Sequence, residues 1–371
     1  MNYYLIAGEA SGDLHGSNLM RGLKQADPAA QFRFWGGNLM AAQGGSLVKH
    51  YKDTAVMGFF EVMAKLRAVL RNIRFCKKDL LAHRPDVLIL IDYPGFNFRM
   101  AKFAKQHGIK VFYYIAPKVW AWKEKRVHQL KKYVDRLFII FPFETDYFKR
   151  WGIDACYAGN PLTDSISEQL AQKETFHTFT ERNKLPGKPV IAVLAGSRIM
   201  EINYVLPRIL FLAEQFPGYQ FVIAGAPSID EAQYKKYLHG GLFNIVYNQT
   251  YALLAQATAA IVASGTATLE AALIGVPQVV CYGGNEISYQ VAKRLVKTKY
   301  ISLVNLIMDA PVVTELIQHG MSKENLQHEL SAILPEGKKR QTMLAQYGQL
   351  RDKIGGSGAS LRVAAEMYQK L

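Results

Sequence analysis

The stretch YLIAGEASGDLHG, residues 4–16, decides how the first half of the chain folds. Its apolar start is typical of a buried strand, and the turn GEASGD leads into a helix predicted over Leu14–Lys24. A strand that runs through a glycine-rich turn into a helix opens a βαβ unit, and such a turn often faces a ligand. Glu9, Ser11 and Asp13 are therefore candidates for a polar site. Alternatively, the glycines serve only close packing of strand and helix.

The same alternation of apolar and helical segments continues through the whole sequence and predicts an α/β fold. Strands are predicted at Tyr3–Ala7, Phe32–Trp35, Val87–Ile91, Val111–Ile115 and Leu137–Phe141, then at Val190–Leu194, Gln220–Ala224, Asn244–Tyr247, Ala260–Val262 and Gln278–Tyr282. Strands this apolar are usually covered on both faces. We therefore expect two Rossmann-like, doubly wound domains with a cleft between their carboxyl strand edges.

The boundary between the two domains is predicted where strand-like runs stop and Pro186, Gly187 and Pro189 follow one another closely. We expect an N-terminal domain over residues 1–165, a linker over 166–189 and a second domain over 190–335. Residues 336–371 are predicted to form helices that pack back on the N-terminal domain or on a partner subunit.

Composition indicates a globular protein, since half of the 371 residues are apolar. The three cysteines lie far apart without CxxC or Cys/His spacing, which argues against a zinc site or a disulfide scaffold and fits a reducing cytosol. The sequence has no run of about 18 apolar residues and no signal-peptide pattern at its start. We therefore expect the protein to remain inside the cell.

The net charge of +15 is concentrated in one part of the sequence. Between Glu61 and Arg136 there are 18 Lys or Arg against 6 Asp or Glu. A basic region of this size indicates an anionic partner. Substrate phosphates, an anionic membrane surface and nucleic acid would all satisfy it.

In the first half, the segment LILIDYPGFNFRM, residues 88–100, ends a fully apolar strand with Asp92. A carboxylate at the carboxyl end of a parallel strand lies at the mouth of the crevice, where partial burial raises its pKa enough to accept a proton from a hydroxyl. Alternatively, Asp92 is a helix cap or a turn residue. Further along, Trp120 and Trp122 precede a basic helix, which suits stacked bases, an acyl chain beside a phosphate, or a solvated surface equally.

The second half contains two turns of the kind that bind phosphate. VLAGSRIMEI places Gly196, Ser197 and Arg198 between a strand and a helix, and VASGTATLE places Ser264, Gly265 and Thr266 in the same position before Glu270. Amide groups at a helix start, the helix dipole and a guanidinium together favour a diphosphate, and a glutamate one turn further can hold a ribose. Alternatively, Arg198 and Glu270 are solvated surface residues.

These segments resemble the signature blocks of the lipid-A-disaccharide synthases, which are glycosyltransferases of the two-Rossmann GT-B type. The blocks are AGEASGD, VMGFFEV, IDYPGFN, PKVWAWKEKRV, PFE, AGSRIMEI, ASGTATLE and AKRLVKTKYISLVNLI, in family order from residue 5 to about 310. The resemblance implies inverting transfer of 2,3-diacylglucosamine from its UDP conjugate to the 6-hydroxyl of 2,3-diacylglucosamine 1-phosphate. The products would be a β(1→6) disaccharide 1-phosphate and UDP.

The same resemblance implies roles for individual residues. Asp92 would be the general base and Arg198 would steady the UDP diphosphate, while Glu270 would hold the ribose. Asn305, predicted to lie with Ser302 on an extended segment, matches a family position near the nucleotide. Glu9 and Ser11 match the first-domain turn. The N-terminal domain would face the acceptor and the membrane, and the C-terminal domain would bind the UDP-sugar.

Partners and location also follow from the resemblance. The family implies no metal and no cofactor, and action at the cytoplasmic face of an anionic inner membrane without nucleic acid; some relatives form dimers with exchanged C-terminal segments. The helix predicted over Glu61–Ala82 suits such a surface. It carries an apolar stripe flanked by cations, namely Val62, Leu66, Val69, Leu70 and Ile73 beside Lys65, Arg67, Arg71 and Arg74. Alternatively, it is a core-packing helix with a wet basic face.

Three departures from the family pattern bear on the chemistry. Gly95 replaces a second acidic residue that many relatives carry, so Asp92 would act alone. Lys118 replaces a small polar residue before VWAW, and His15 replaces an apolar one. Two other functions stay open: another GT-B enzyme that uses a UDP-sugar, either an epimerase or a transferase with a soluble acceptor, and a nucleic-acid-binding protein.

Overall fold

A computed structural model of the chain describes residues 1–53, 62–171, 174–238, 241–286, 289–290 and 298–371, with the backbone alone over 62–66. The chain forms two compact units. Unit 1 consists of Met1–Asp164 and Ile354–Leu371, and unit 2 consists of Ser165–Lys353.

Unit 1 is built from strands that alternate with helices, as the apolar pattern predicts. Its strands are β1 (Asn2–Ala7), β2 (Gln31–Gly36), β3 (Ser46–His50), β4 (Val87–Ile91), β5 (Lys110–Tyr114), β6 (Arg136–Ile139) and β7 (Ala155–Tyr157). Its first helices are α1 (Ala10–Ala26), α2 (Asn38–Ala42), α3 (Val62–His83), α4 (Pro94–Gln106), α5 (Val127–Tyr133) and α6 (Phe143–Arg150). In the described part of the unit, seven parallel strands form one sheet in the order β3-β2-β1-β4-β5-β6-β7.

Unit 2 repeats this plan. After α7 (Leu162–Gln169) and α8 (Phe176–Arg182), its strands are β8 (Val190–Leu194), β9 (Gln220–Gly225), β10 (Phe243–Tyr247), β11 (Ala257–Ala263), β12 (Gln278–Tyr282) and β13 (Thr314–Ile317). The other helices are α9 (Ile199–Ile209), α10 (Leu212–Gln215), α11 (Glu231–Lys235), α12 (Thr250–Ala255), α13 (Thr266–Ile274), α14 (Leu303–Met308), α15 (Lys323–Ile333) and α16 (Arg340–Ile354). Among the described residues, six parallel strands pair in the order β10-β9-β8-β11-β12-β13. The two sheets confirm the predicted α/β fold.

The central strands of unit 1 are buried on both faces. In β1, Tyr4 and Ile6 pack into a core shared with Leu80 of α3, whereas Tyr3 and Leu5 pack on the opposite face with α1. Successive residues of a strand point to opposite sides, so a strand covered on both sides must be apolar at every position. This explains why continuous apolar runs located the central strands.

Three edge strands, β3, β7 and β13, were not predicted from the sequence. All three lie at an edge of a sheet. No residue of β3 or β7 is fully buried. An edge strand needs no continuous apolar run, because one side of it faces away from the sheet. The edge strand β10 was nevertheless predicted, so a position at an edge weakens this signal without always removing it.

The last helix, α17 (Ala359–Gln369), belongs to unit 1 and packs against α1. The approach is close, because a Cβ placed on Gly22 of α1 would lie 2.7 Å from the Cβ of Ala364. Asp164 accepts hydrogen bonds at the start of α17 from the backbone amides of Ala359 (3.1 Å) and Ser360 (2.8 Å). Asp164, the last residue of the first segment of unit 1, therefore stabilises the start of the last helix of that unit. Among the residues described, no helix combines the length and the apolarity needed to span a membrane.

Candidate functional site

The two glycine-containing turns of unit 2 lie together at the carboxyl ends of β8 and β11. They line a cavity of about 340 Å³. The predicted residues that reach this cavity are Gly196, Ser197, Arg198, Ser264, Gly265, Thr266 and Glu270. Two turns some 70 residues apart in the sequence thus form one surface, as expected where parallel strands end side by side.

At the turn after β8, backbone amides that were predicted to bind phosphate already donate hydrogen bonds to a carboxylate. Glu201, in the first turn of α9, accepts hydrogen bonds through Oε2 from the amides of Ser197 (3.0 Å) and Arg198 (3.3 Å). Its other oxygen lies 3.7 Å from the Arg198 guanidinium, and the Arg198 side chain is 77% exposed. Glu201 was not predicted, because the cap three residues before it is Arg198 rather than one of the residues that usually mark this arrangement in a sequence, such as Ser or Thr.

At the turn after β11, the helix start is open toward the cavity. Gly265 has φ of 156°, and a Cβ at this position would meet no atom within 4 Å. The amides of Thr266 and Ala267 are the first two of α13, so they have no acceptor inside the helix. The Ser264 hydroxyl donates to the carbonyl of Ile301 at 2.9 Å. This turn therefore offers an anion backbone amides rather than the serine side chain.

Glu270 lies one turn further along α13 and lines the same cavity. Burial raises the pKa of the Glu270 carboxyl, and a hydrogen bond from the Tyr251 hydroxyl (3.3 Å) opposes this rise. The tyrosine engages Oε1, so Oε2 remains to accept further hydrogen bonds. A carboxylate held in this way can bind a vicinal diol.

In unit 1, Asp92 directly follows β4 in a strained turn. Asp92 and Tyr93 have φ of 43° and 49°, which is uncommon for residues other than glycine. The Asp92 carbonyl accepts hydrogen bonds from Asn97 Nδ2 and from the Tyr113 hydroxyl, both at 2.7 Å, and these bonds hold the turn. Asp92 is not the N-cap of α4, since Tyr93 takes that position. The cap alternative for Asp92 is therefore wrong.

The environment of the Asp92 carboxyl favours its protonated form. Loss of water around the group raises its pKa, and the negative charge of Glu9 raises it further, while Lys118 acts in the opposite direction. The side chain nevertheless keeps part of its surface exposed. An accessible carboxyl with a raised pKa is suited to accept a proton.

The turn GEASGD lies against the turn after β4. A Cβ on Gly8 would lie 2.3 Å from the Tyr93 ring, so only glycine fits there. α1 begins at Ala10, so the predicted start at Leu14 is wrong, and Glu9 and Ser11 are exposed at the first turn of this helix. Asp13 is buried and instead accepts hydrogen bonds from backbone amides around α2, including that of Met40 (3.0 Å). Asp13 therefore has a structural role.

Glu144 is a further buried carboxyl in unit 1, shortly after the carboxyl end of β6. In the sequence it was noted only as part of the block PFE. It accepts hydrogen bonds from Trp120 Nε1 (2.9 Å) and from the amides of Ile140 (3.2 Å) and Phe141 (3.1 Å). Burial raises the pKa of Glu144 to about 7, although these bonds and the charge of Lys118 lower it. Glu144 therefore ties the PKVWAW segment to the turn after β6.

The predicted extended segment around Ser302 and Asn305 is wrong, because these residues begin α14. Ser302 caps this helix and accepts a hydrogen bond from the Asn305 amide at 3.2 Å. The Asn305 side chain is buried; its Nδ2 donates to the Val313 carbonyl and to Glu315 Oε1, and its Oδ1 accepts from the Val313 amide, all at 2.9 Å. Its contact with a nucleotide remains a prediction.

The predicted basic helix is present as α3, and its apolar stripe divides between core and surface. Ile73 is buried and Val69 packs beside it, whereas Leu70 is 40% exposed. Other parts of this prediction lie outside the described residues: Glu61, the side chains of Val62, Lys65 and Leu66, and the block VMGFFEV up to that helix.

His15 lies on α1 inside unit 1. Burial lowers its pKa to about 4, and the charge of Asp164 opposes this change. Among the described residues, its Nδ1 atom has no hydrogen-bond partner. The imidazole is therefore neutral near pH 7. Among all residues that the structure describes, no cluster of three His, Cys, Asp or Glu side chains is arranged for a metal ion.

Comparison with known proteins establishes the family of the chain. Residues 3–364 match the family model described as lipid-A-disaccharide synthetase. The chain is 36% identical over 373 residues to the lipid-A-disaccharide synthase of Geobacter metallireducens, covering 99% of this chain and 96% of that protein. It is 37% identical over 367 residues to the enzyme of Syntrophus aciditrophicus, covering 97% and 95%.

The chain belongs to the lipid-A-disaccharide synthase family. This membership confirms the resemblance stated from the sequence blocks and makes the chain a glycosyltransferase of lipid A biosynthesis. For the lipid-A-disaccharide synthases as a family, substrates of the UDP-sugar lipid type are implied.

Solved structures place the fold of this lipid-A-disaccharide synthase family member among GT-B enzymes. A UDP-GlcNAc 2-epimerase from Neisseria meningitidis, solved with UDP-GlcNAc bound, matches all of both chains with a TM-score of 0.67 and 13% identity. The glycosyltransferase of kitacinnamycin matches 100% of this chain and 99% of that one with a TM-score of 0.59 and 15% identity. At such low identity these likenesses concern the fold alone.

Proposed function

We propose that this protein transfers 2,3-diacylglucosamine from its UDP conjugate to the 6-hydroxyl of 2,3-diacylglucosamine 1-phosphate. The acceptor oxygen attacks the anomeric carbon and the bond to the UDP oxygen breaks. The hydroxyl proton passes to a protein base, and UDP leaves as the second product. Attack from the side opposite the leaving group inverts the anomeric centre and gives the β(1→6) disaccharide 1-phosphate.

The observation that carries this proposal is the cavity of unit 2, which combines two helix starts with Glu270. The amides of Thr266 and Ala267 would bind the diphosphate at the positive end of the α13 dipole. Glu270 Oε2 would accept hydrogen bonds from the ribose hydroxyls. Ser264 would contribute indirectly, since its hydroxyl is already bonded to Ile301.

Arg198 would neutralise charge on the departing diphosphate. Its guanidinium is exposed at the rim of the cavity, with Glu201 as its nearby carboxylate. A leaving UDP gains negative charge as the sugar bond breaks, so a cation at this point stabilises the transition state more than the ground state. Ser197 and Gly196 would form the backbone of the same turn. An anion that binds the amides of Ser197 and Arg198 must displace the Glu201 carboxylate.

Asp92 would accept the proton from the acceptor hydroxyl. The raised pKa of its carboxyl brings it closer to the working pH, and the two hydrogen bonds to its backbone carbonyl hold the turn that carries the side chain. Glu9, whose charge contributes to that pKa, would act through Asp92 rather than on substrate. Gly95 offers no second carboxylate, so one base is proposed.

The exposed part of α3 supports a location at an anionic membrane. Leu70 and Phe75 are 40% and 46% exposed, and Arg67, Arg71 and Arg74 lie exposed around them. Apolar side chains surrounded by cations are typical of a helix that lies at a membrane interface. We therefore propose peripheral attachment to the cytoplasmic face of the inner membrane. We also propose that the protein forms a homodimer, which analytical sedimentation of the purified protein tests.

The deciding experiment is incubation of purified protein with UDP-2,3-diacylglucosamine and 2,3-diacylglucosamine 1-phosphate, with a chelator present. We expect equimolar disaccharide 1-phosphate and UDP. Mixtures lacking either lipid serve as controls. UDP release without disaccharide, or no release at all, would overturn the proposed reaction.

Two parallel assays address the other functions. Incubation with UDP-GlcNAc would reveal 2-epimerase activity, which is relevant because enzymes of that activity share the fold. Gel shift with RNA and DNA would reveal steeply salt-dependent nucleic-acid binding. We expect neither result, and we expect the protein to sediment with vesicles that contain phosphatidylglycerol.

A further inference from the structure

A second cavity, of about 340 Å³, lies in unit 1 beside the first turns of α4. We name it the basic cavity after its lining residues, which are Pro94, Gly95, Phe98, Arg99 and Lys102 of α4 together with Arg126, Gln129 and Tyr133. It contains no residue that the sequence analysis proposed for the reaction. Its composition nevertheless indicates a specific kind of ligand.

Three cations converge on the basic cavity without a balancing carboxylate. Arg99, Lys102 and Arg126 line it, and no Asp or Glu does. Within the described parts of the chain, none of the three forms an ion pair, whereas Lys105 of the same helix is paired with Asp135. Like charges held together repel one another, so an anion between them would relieve the repulsion.

The guanidinium of Arg126 is held in place by packing. It lies over the ring of Phe98, with 5.7 Å between its central carbon and the ring centroid. Phe98 is itself buried, so this contact anchors the arginine on a fixed surface. A planar guanidinium held in this way suits two-pronged hydrogen bonding to a phosphate. Gln129 and Tyr133 add an amide and a hydroxyl to the same lining.

The basic cavity is adjacent to Asp92. α4 begins at Pro94, two residues after Asp92, and Arg99 lies about 8 Å further along the helix axis at 1.5 Å per residue. The charge of Arg126 also reaches Tyr113, whose pKa it lowers against the larger effect of burial. The Tyr113 hydroxyl donates to the Asp92 carbonyl. A small molecule could therefore contact the basic cavity and Asp92 with its two ends.

We propose that the basic cavity binds a phosphate monoester, which under the function proposed above is the 1-phosphate of the acceptor sugar. In a hexosamine 1-phosphate, C1, which carries the phosphate, and C5, which carries the 6-hydroxymethyl group, both flank the ring oxygen, so the phosphate and the 6-hydroxyl lie within the length of one sugar of each other. The phosphate in the basic cavity would thus leave the 6-hydroxyl near Asp92.

The charge and the size of the basic cavity favour a monoester over a lipid diester or a polymer. A phosphate monoester carries about −1.5 to −2 charges near pH 7 and offers three terminal oxygens, which matches three cations. A phosphodiester offers a single charge. A volume of about 340 Å³ suits one phosphosugar headgroup rather than a nucleic-acid strand, which needs an extended groove.

Direct binding tests the site independently of the reaction. Glucosamine 1-phosphate is titrated into the full-length protein and its Arg99→Gln/Lys102→Gln variant by calorimetry. We expect the variant to bind at least about tenfold more weakly, because charge-assisted hydrogen bonds are lost. Lys105→Gln is the matched control, since it removes a cation of the same helix that is already paired. Arg126→Lys keeps the charge but loses the planar fork, and should weaken binding by a smaller factor.

Steady-state kinetics links the site to the acceptor. The double variant should raise KM for 2,3-diacylglucosamine 1-phosphate about tenfold or more while KM for UDP-2,3-diacylglucosamine stays unchanged. With 2,3-diacylglucosamine that lacks the phosphate, wild type and variant should react equally. If neither protein forms disaccharide, the proposed function fails, while the calorimetric result still decides the phosphate site.

Three outcomes would overturn the proposal. The first is equal affinity of wild type and double variant for glucosamine 1-phosphate. The second is an equal loss in the Lys105→Gln control, which would indicate a general effect of charge. The third is a loss confined to vesicles of phosphatidylglycerol, which would assign the cations to a lipid surface instead.

Discussion

The turns at the carboxyl edges of the two sheets both contain residues with positive φ angles, but the residue types differ. After β4, Asp92 and Tyr93 both adopt left-handed φ angles of 43° and 49°. After β8 and β11, the corresponding unusual angles belong to Gly196 at 115° and Gly265 at 156°. A residue with a side chain in such a conformation costs about 1 to 3 kcal/mol, whereas glycine adopts it freely.

The difference follows from what each edge presents. The edge of unit 2 offers backbone amides, and glycine at position 265 leaves the space beside them open. The edge of unit 1 offers the Asp92 carboxyl itself, so its turn must carry a side chain and is held by bonds from Asn97 and Tyr113. Under the proposed function, one edge would bind an anion and the other would present an acid.

The largest effect is expected from Asp92→Asn, which tests whether the strained turn exists for its carboxylate. Asparagine tolerates left-handed angles well, so the turn should persist while the base is lost. We expect kcat to fall about 100- to 10,000-fold with UDP affinity unchanged. Single-turnover assays and UDP titration measure the two quantities.

The control for this variant is Asp86→Asn at the amino end of the same strand. Asp86 accepts a hydrogen bond from the Asn2 amide, so its loss should affect stability rather than turnover. An Asp92→Asn enzyme with wild-type kcat would exclude Asp92 as the base.

Arg198→Ala tests the anion-binding edge. If the guanidinium stabilises charge on the leaving diphosphate, its removal should cost about 2 to 4 kcal/mol in kcat/KM. Arg208→Ala provides a comparison on the same helix, because Arg208 stacks on Tyr204 (3.6 Å to the ring centroid). Equal effects of the two substitutions would assign the loss to α9 as a whole.

Glu144→Gln tests the buried acid of unit 1 through pH. The folded pKa of about 7 lies above the ordinary 4.5, so the native state holds the proton more tightly than the unfolded chain. Proton binding at Glu144 therefore contributes fully to the free energy of unfolding below pH 4.5. This contribution, up to about 3 kcal/mol, is lost as the pH rises through 7. Urea unfolding near both limits should reveal this decline in wild type and not in Glu144→Gln.

Asp146→Asn is the matched control for Glu144, since this exposed carboxylate lies on the same helix, α6. It should leave the slope of stability against pH intact. A Glu144→Gln protein that retains the wild-type slope would place the titrating group elsewhere.

The smallest effect, and one of opposite sign, is expected from Glu201→Gln. Removing a negative charge from the amides of Ser197 and Arg198 should strengthen UDP binding by about 1 kcal/mol, or roughly fivefold. Calorimetry with UDP measures this change. Glu231→Gln in the first turn of α11 is the control. Weaker UDP binding in Glu201→Gln would mean that Glu201 shapes the turn for its ligand rather than competing with it.

Whether an element can be predicted from the sequence depends on whether its environment requires a recognisable pattern of residues. Central strands such as Val87–Ile91 are apolar at every position because both faces are buried, so they were predicted correctly. The edge strand Ser46–His50 carries no such pattern and was missed. The segment around Asn305 was predicted as extended, although Ser302 is a helix cap, which is a local signal that the prediction did not use.

The candidate site shows the same limit. The two turns of unit 2 were predicted because glycine and serine between strand and helix leave a local pattern. Glu201 and Glu144 were missed because their importance comes from the groups they meet, the amides of Ser197 and Arg198 and the indole of Trp120. The basic cavity was missed for the same reason, because only folding brings Arg126 beside Arg99.

The position of α17 has a consequence for biosynthesis on the ribosome. The first segment of unit 1, Met1–Asp164, is translated before unit 2, but unit 1 lacks its last helix until residues 354–371 emerge. At translation rates of about 5 to 20 residues per second, roughly 10 to 40 s pass while Ser165–Lys353 is made. During that interval the apolar face of α1 that later meets Val363 and Met367 is uncovered. A nascent chain paused there should be a preferred client of chaperones, and a stop codon within Ala359–Gln369 should destabilise unit 1, although the first segment of that unit is encoded far upstream.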